Sequence, residues 1–157
     1  MKKTFNLICI AFMMVCLVGC SNSGLTYTFE SADTGDTISV KFDTSDGYYL
    51  EEYDTESLLL DTQIFCVYDS DDTILSQATF VSSSDYSLYN IAISGDSAAT
   101  LIDSSDEGNQ YLFWSYDDSE FNYIILVEGS NTAIVLGNNV SQESAQECFE
   151  RMTITLE

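Results

Sequence analysis

Carboxylates are the reactive groups this chain carries in abundance, and histidine is the one it lacks. There are 26 Asp and Glu against four Lys and Arg, with no His. Without imidazole there is no Ser-His or Cys-His dyad, no histidine metal site and no histidine pH switch. Carboxylate chemistry remains. Asp103-Ser104-Ser105-Asp106-Glu107-Gly108 sets acids or hydroxyls at loop positions 1, 3 and 5 and glycine at 6, as an EF-hand loop does. That loop closes with a glutamate at position 12, where this chain has Trp114, so the match fails. Asp69-Ser70-Asp71-Asp72 and Asp117-Asp118-Ser119-Glu120 are runs in which turn geometry already calls for aspartate. Glycoside-type hydrolysis needs two carboxyls facing one another across a cleft, one with a raised pKa. The acids here fall in turns or on polar phases, and no pair is marked. Lys41 beside Ser39 is the one Ser-Lys arrangement after the N-terminal region, and it sits on the wet phase of a strand pattern. The expectation is no catalytic residue, no metal site and no cofactor.

Aromatic side chains are the better candidates for recognition. Tyr48, Tyr49 and Tyr53 cluster among acids where the pattern is irregular, while Trp114 and Tyr116 lead into a hairpin turn followed by Phe121 and Tyr123. Rings beside hydroxyls and acids suit a protein or glycan partner, although a core uses the same rings. Cys66 and Cys148 are a candidate disulfide if the chain is exported. Against this, Cys66 lies within a strand pattern and Cys148 on the apolar stripe of a helix, where a free thiol packs as a small hydrophobe. Asn139-Val140-Ser141 is a formal glycosylation sequon and reads as coincidence.

The N-terminus supplies an address. Met1-Lys2-Lys3 is positive, and residues 5–18 are apolar except for Asn6. As a helix that run spans about 21 Å, short of a hydrocarbon core of about 30 Å, which fits a removable export signal. It ends in Leu17-Val18-Gly19-Cys20: an aliphatic residue, a tolerant position, a small residue, then cysteine. This resembles a bacterial lipobox. The resemblance implies acylation (diacylglyceryl, palmitate-type) of Cys20, recognition of Leu17, Val18 and Gly19 by a signal peptidase, and removal of residues 1–19. A lipid-anchored, extracytoplasmic protein of the cell membrane is then expected. Residues 20–24 form the lipidated cysteine and a short tether, and residues 25–157 a single domain. From Cys20 onward only Lys41 and Arg151 oppose all 26 acids. Nucleic acid is therefore excluded as a partner, since binding it needs cations to displace counterions. The residues between Cys20 and Gly24 reach at most about 14 Å, so the domain is held close to the lipid, with its least acidic face expected toward the membrane. A hydrophobic content of 45% and an aromatic content of 13% argue for a folded core despite the charge.

Period-2 alternation places Leu25, Tyr27 and Phe29 on one strand face, and Ile38, Val40 and Phe42 on the next, joined by a turn containing Gly35. Residues 43–61 are ambiguous, with 56–60 read as a short helix or a strand. Strands are predicted over 63–68 and 74–81, at 89–94, and over 110–116, 121–128 and 132–136. Asp96 is read as capping a small helix through Ala98, Leu101 and Ile102. Gly137-Asn138-Asn139 is read as a turn, and Ser141 as the N-cap of an amphipathic helix with Ala145, Cys148, Phe149 and Met152 on its apolar face. Residues 153–157 are a strand or an ordered tail.

The fold class expected is α+β: a mostly antiparallel meander sheet with the C-terminal amphipathic helix packed on one face, a β-sandwich being the alternative. Over residues 108–157 the order of strand, hairpin, strand and capped helix resembles small domains of the Mog1/PsbP-like class. That resemblance implies a fold and no function. The function expected is a non-enzymatic binding or assembly module. A Ca²⁺-responsive acidic domain and a small carboxylate-dependent hydrolase are the alternatives.

Overall fold

The computed structural model describes residues 24–53 and 64–157. Leu17, Val18, Gly19 and Cys20 lie outside the described residues, as does the ambiguous segment 56–60. The fold is α+β with two antiparallel sheets. The strands are β1 (Gly24–Glu30), β2 (Thr37–Asp43), β3 (Tyr49–Tyr53), β4 (Ile64–Tyr68), β5 (Ile74–Ser82), β6 (Ala99–Ser105), β7 (Gln110–Tyr116), β8 (Glu120–Leu126), β9 (Thr132–Asn138) and β10 (Met152–Leu156). The helices are α1 (Ser83–Gly95) and α2 (Gln142–Glu150), with a short 3-10 turn at Ser45–Gly47. One sheet has three strands in the order β1-β2-β10, and the other has seven in the order β3-β4-β5-β9-β8-β7-β6. Among the described residues no helix is long and apolar enough to cross a membrane.

Alternation along each strand decides the layers. On β2, Ile38, Val40 and Phe42 are fully buried. They meet Phe65, Val67, Ala78, Phe80, Phe113, Tyr123, Ile125, Ile134 and Leu136 from the large sheet. Ala145 and Cys148 of α2 join the same core, so the C-terminal helix and the small sheet share one face of the seven-stranded sheet. Phe29 ties the two sheets, its ring 5.1 Å from Phe65 and 5.3 Å from Phe80. At the far end of that hairpin, Asp36 accepts hydrogen bonds from the Asn131 N–H at 2.7 Å and the Thr132 hydroxyl at 2.9 Å. Leu25, expected to face inward, is 55% exposed because it lies at the start of β1, beyond the packed stretch.

The opposite face of the large sheet carries Leu112, Trp114, Ile124 and Ala133, covered by Ile93, Tyr86 and Tyr89 of α1. The strand expected at 89–94 is therefore part of a helix. Ser82 and Asp85 form a capping box, with the Ser82 hydroxyl accepting from the Ser84 N–H and Asp85 accepting from the Ser82 N–H at 3.1 Å. That cap satisfies N–H groups at the first turn, and Tyr86, Tyr89 and Ile93 then recur on one side. Ile91 and Ile93 give the same stretch an alternation that mimics a strand. The helix expected after Asp96 is β6 instead. The Asp96 carboxylate takes the Ala98 N–H at 2.9 Å, a turn that closes α1 and starts the strand.

Two boundaries also shift. Strand β9 runs through Asn138, past the turn expected at 137–139. Helix α2 stops at Glu150, so Met152 opens β10 rather than extending the helix face. The predicted Ser141 cap is present, its hydroxyl accepting from the Ser144 N–H at 3.0 Å. The hairpin turn at Asp117-Asp118 has both residues at positive φ (48° and 51°), with the Ser119 N–H returning to the Tyr116 carbonyl at 3.1 Å. This is a type I′ turn, whose twist suits a hairpin and which aspartate tolerates better than most residues.

Candidate functional site

The candidate aromatics sit in different environments. Tyr48 precedes β3 and packs against the main core. The Arg151 guanidinium covers its ring at 3.8 Å. Tyr49 faces the other way, stacked on Tyr68 at 4.8 Å with its hydroxyl donating to Asp72 at 2.9 Å. Tyr53 closes β3, paired with Ile64. Trp114 lies under α1, 7% exposed, with Tyr89 at 5.5 Å, and Tyr116 ends β7, 40% exposed. Trp114 is thus a core ring, Tyr48 is a platform for Arg151, and Tyr116 is open to solvent. The fold assembles a second aromatic group between β7, β8 and α2: Phe113, Tyr123 and Phe149 stack in sequence, and Tyr111 meets Phe149 edge-on.

Arg151 is the most connected polar side chain among these residues. It donates to the Ser45 carbonyl and hydroxyl, both at 3.0 Å, to Glu147 at 2.9 Å and to Asp46 at 3.3 Å. Burial pulls its pKa down, but the bonds to Glu147 and Asp46 outweigh that and hold the guanidinium charged. The cation is used up in tying the C-terminus of α2 to the 3-10 turn. The other cation among the described residues, Lys41, is exposed on the outer face of β2.

The acidic turns satisfy their own backbone. Asp69 accepts from the N–H groups of Asp71 and Thr73, both at 2.9 Å, which hold its carboxyl below the usual range. Asp103 accepts the Tyr111 hydroxyl at 2.8 Å. Asp69 and Asp103, the first carboxylates of two of the three acidic runs, are thus engaged as acceptors within the protein.

Cys66 and Cys148 are buried free thiols. Phe65 and Val67 point into the main core, so Cys66 between them points to the opposite face of the sheet, whereas Cys148 belongs to the α2 side. A sheet separates them, and bridge geometry is out of reach. Burial pushes both thiols up and keeps them protonated.

Tyrosines give the fold an alkaline limit. Burial, with the nearby charges of Tyr111, Asp103 and Glu150, raises Tyr123 strongly, and the bond to Asp103 raises Tyr111. Loss of solvent and donation to Asp72 push Tyr49 up to about 12. A raised phenol pKa means the folded state holds its proton more tightly than the unfolded chain, which ionises near pH 10. This stability is complete below about pH 10 and is lost as pH rises through the folded values. Thermal melts should therefore drop between about pH 10 and 12, with tyrosinate absorbance lagging until the protein unfolds. A melting temperature that stays level across that window would contradict the assignment.

Comparison with protein-family models, with curated proteins and with solved structures matched none of them to this chain.

Proposed function

We infer that the chain is a lipid-anchored, extracytoplasmic domain of the cell membrane that acts without catalysis, as a binding or assembly module. The observation that carries the reading is the juxtaposition of Leu17-Val18-Gly19-Cys20, closing an apolar export segment, with a first strand that begins at Gly24. A lipid on Cys20 would leave almost no slack before the folded part. Support for the binding role comes from the outer surface of α1. Residues 86–95 carry no charge in a chain with 26 acids, and Leu88 and Ile91 are 61% and 71% exposed. Leu101 and Tyr116, on the same side of the large sheet, are also exposed. Aliphatic side chains on an uncharged helix suit a protein partner better than a glycan, which prefers rings.

The anchor is tested by Cys20→Ala. The variant should leave the membrane fraction for the soluble one and lose incorporation of labelled palmitate, while melting as the parent does. Retention of the variant in the membrane fraction would overturn the anchor assignment.

A further inference from the structure

Resting on that anchor, we propose that the outer face of the three-stranded sheet is the surface laid against the lipid headgroups. The inward residues of β2 are buried, so its alternate residues face out, and the register brings their neighbours alongside. Thr26 and Thr153 flank Lys41, and Thr28 and Thr155 flank Ser39. The centre of this face is five hydroxyls around Lys41, the one lysine among the described residues. The carboxylates of this face, Glu30, Asp43 and Glu157, belong to the two ends, Glu157 reaching inward to accept the Thr28 hydroxyl at 3.4 Å. Hydroxyl and ammonium donors match phosphate oxygens, and a cation near an anionic surface is attracted where a carboxylate is repelled.

Tether geometry separates this face from its rivals. The chain enters the fold at Gly24 on β1, an edge strand of the same sheet. The residues from Cys20 to Gly24 span at most about 14 Å. The uncharged α1 surface lies on the far side of the seven-stranded sheet. With packed sheets about 10 Å apart and a helix about 10 Å thick beyond them, α1 on the membrane would lift Gly24 more than about 20 Å from it. The tether cannot span that. Standing the domain on the end where Gly24 pairs with Asp43 is within reach. However, the 3-10 turn and the β4–β5 turn meet at that end, Gly47 lying against Ser70. Asp43, Asp46, Asp69, Asp71 and Asp72 would then all face the headgroups. Lying on the hydroxyl face avoids both obstacles and leaves α1 pointing away from the membrane.

The test uses the lipidated protein in vesicles of phosphatidylethanolamine and phosphatidylglycerol, with a nitroxide on the lipid headgroup and amide signals read by NMR. Broadening should be several-fold stronger at Thr26, Thr28, Ser39, Lys41, Thr153 and Thr155 than at Leu88 and Ile91. Lys41→Glu, at an exposed site, should leave the protein bound to vesicles but remove most of that contrast. Broadening concentrated on α1 or on the 45–47 and 69–72 turns, uniform broadening, or a contrast unchanged by Lys41→Glu would each overturn the proposal while the anchor stands. Protein that fails to sediment with the vesicles would overturn the anchor itself, and this face with it.

Discussion

Replacing Asn138 with leucine should destabilise the fold by about 2–4 kcal/mol, far more than its volume change warrants. Asn138 is 2% exposed at the end of β9. Its amide donates to the hydroxyls of Ser76 and Ser144, both at 3.0 Å, and its oxygen accepts from the N–H groups of Val140 and Ser141 at 2.8 and 3.2 Å. The two backbone donors fix which end of the amide is oxygen. One side chain thereby joins β5, β9, the turn that follows and the first turn of α2. Leucine fills the space but leaves the hydroxyl of Ser76, which is 1% exposed, only the weak Cys148 thiol as a partner, and releases the loop carrying the α2 cap. A buried polar group left unpaired costs about 1–3 kcal/mol, and the cap about 1 more. Asn138→Asp provides the control. Both serine hydroxyls can turn to donate, so the bonds survive and burial of charge is the main cost. Two backbone N–H groups and two hydroxyls then donate to the carboxylate and oppose the burial penalty, so the aspartate variant should lose less stability than the leucine variant. Denaturant unfolding reads both variants. A leucine variant within about 0.5 kcal/mol of the parent would deny the network its role.

Arg151→Ala is expected to cost about 2–3 kcal/mol, and the reason is not the salt bridges. Asp46 and Glu147 have 78% and 44% exposed side chains, whereas that of Arg151 is 11% exposed. Solvent screens those pairs, and both acids rehydrate when the cation goes. The loss lies in the bonds to Ser45 and the cover over Tyr48, which water replaces poorly. Arg151→Lys keeps the charge without the planar fork, so it should recover less than half of the loss. High salt should change these differences little. Full rescue by lysine, or a strong salt dependence, would show that charge alone matters.

Much of the architecture was legible because strands with one buried face advertise it. Ile38-Val40-Phe42 falls where alternation placed it, the 110–136 meander follows apolar runs that the structure covers on both faces, and Ser141 caps α2 as its side chain predicted. The failures share a cause. Helix α1 hides its apolar stripe behind Ile91 and Ile93, which are β-branched and alternate, and its capping box lies within a run of serines from Ser82 to Ser84. Asp96 carries the residue type of a cap but spends its carboxylate on a turn. The roles of Asn138 and Arg151 depend on partners scattered from Ser45 to Glu147, and no local pattern encodes such convergence. Of the candidate aromatics, sequence could not tell Trp114, sealed beneath Tyr89, from Tyr116, open to solvent, since both sit on one face of β7.

Strand β2 receives one neighbour from the adjacent hairpin and the other from the far end of the described chain. The two pairings cannot form together as the polypeptide emerges. A hairpin of β1 and β2 closes over a short loop and is available early, whereas β10 must wait until everything between has been made. During that wait Ile38, Val40 and Phe42 have no large sheet to cover them, and the open edge of β2 invites pairing with another chain. The vulnerable period of this protein is therefore the interval before β10 is made, when that hairpin has neither its cover nor its second neighbour.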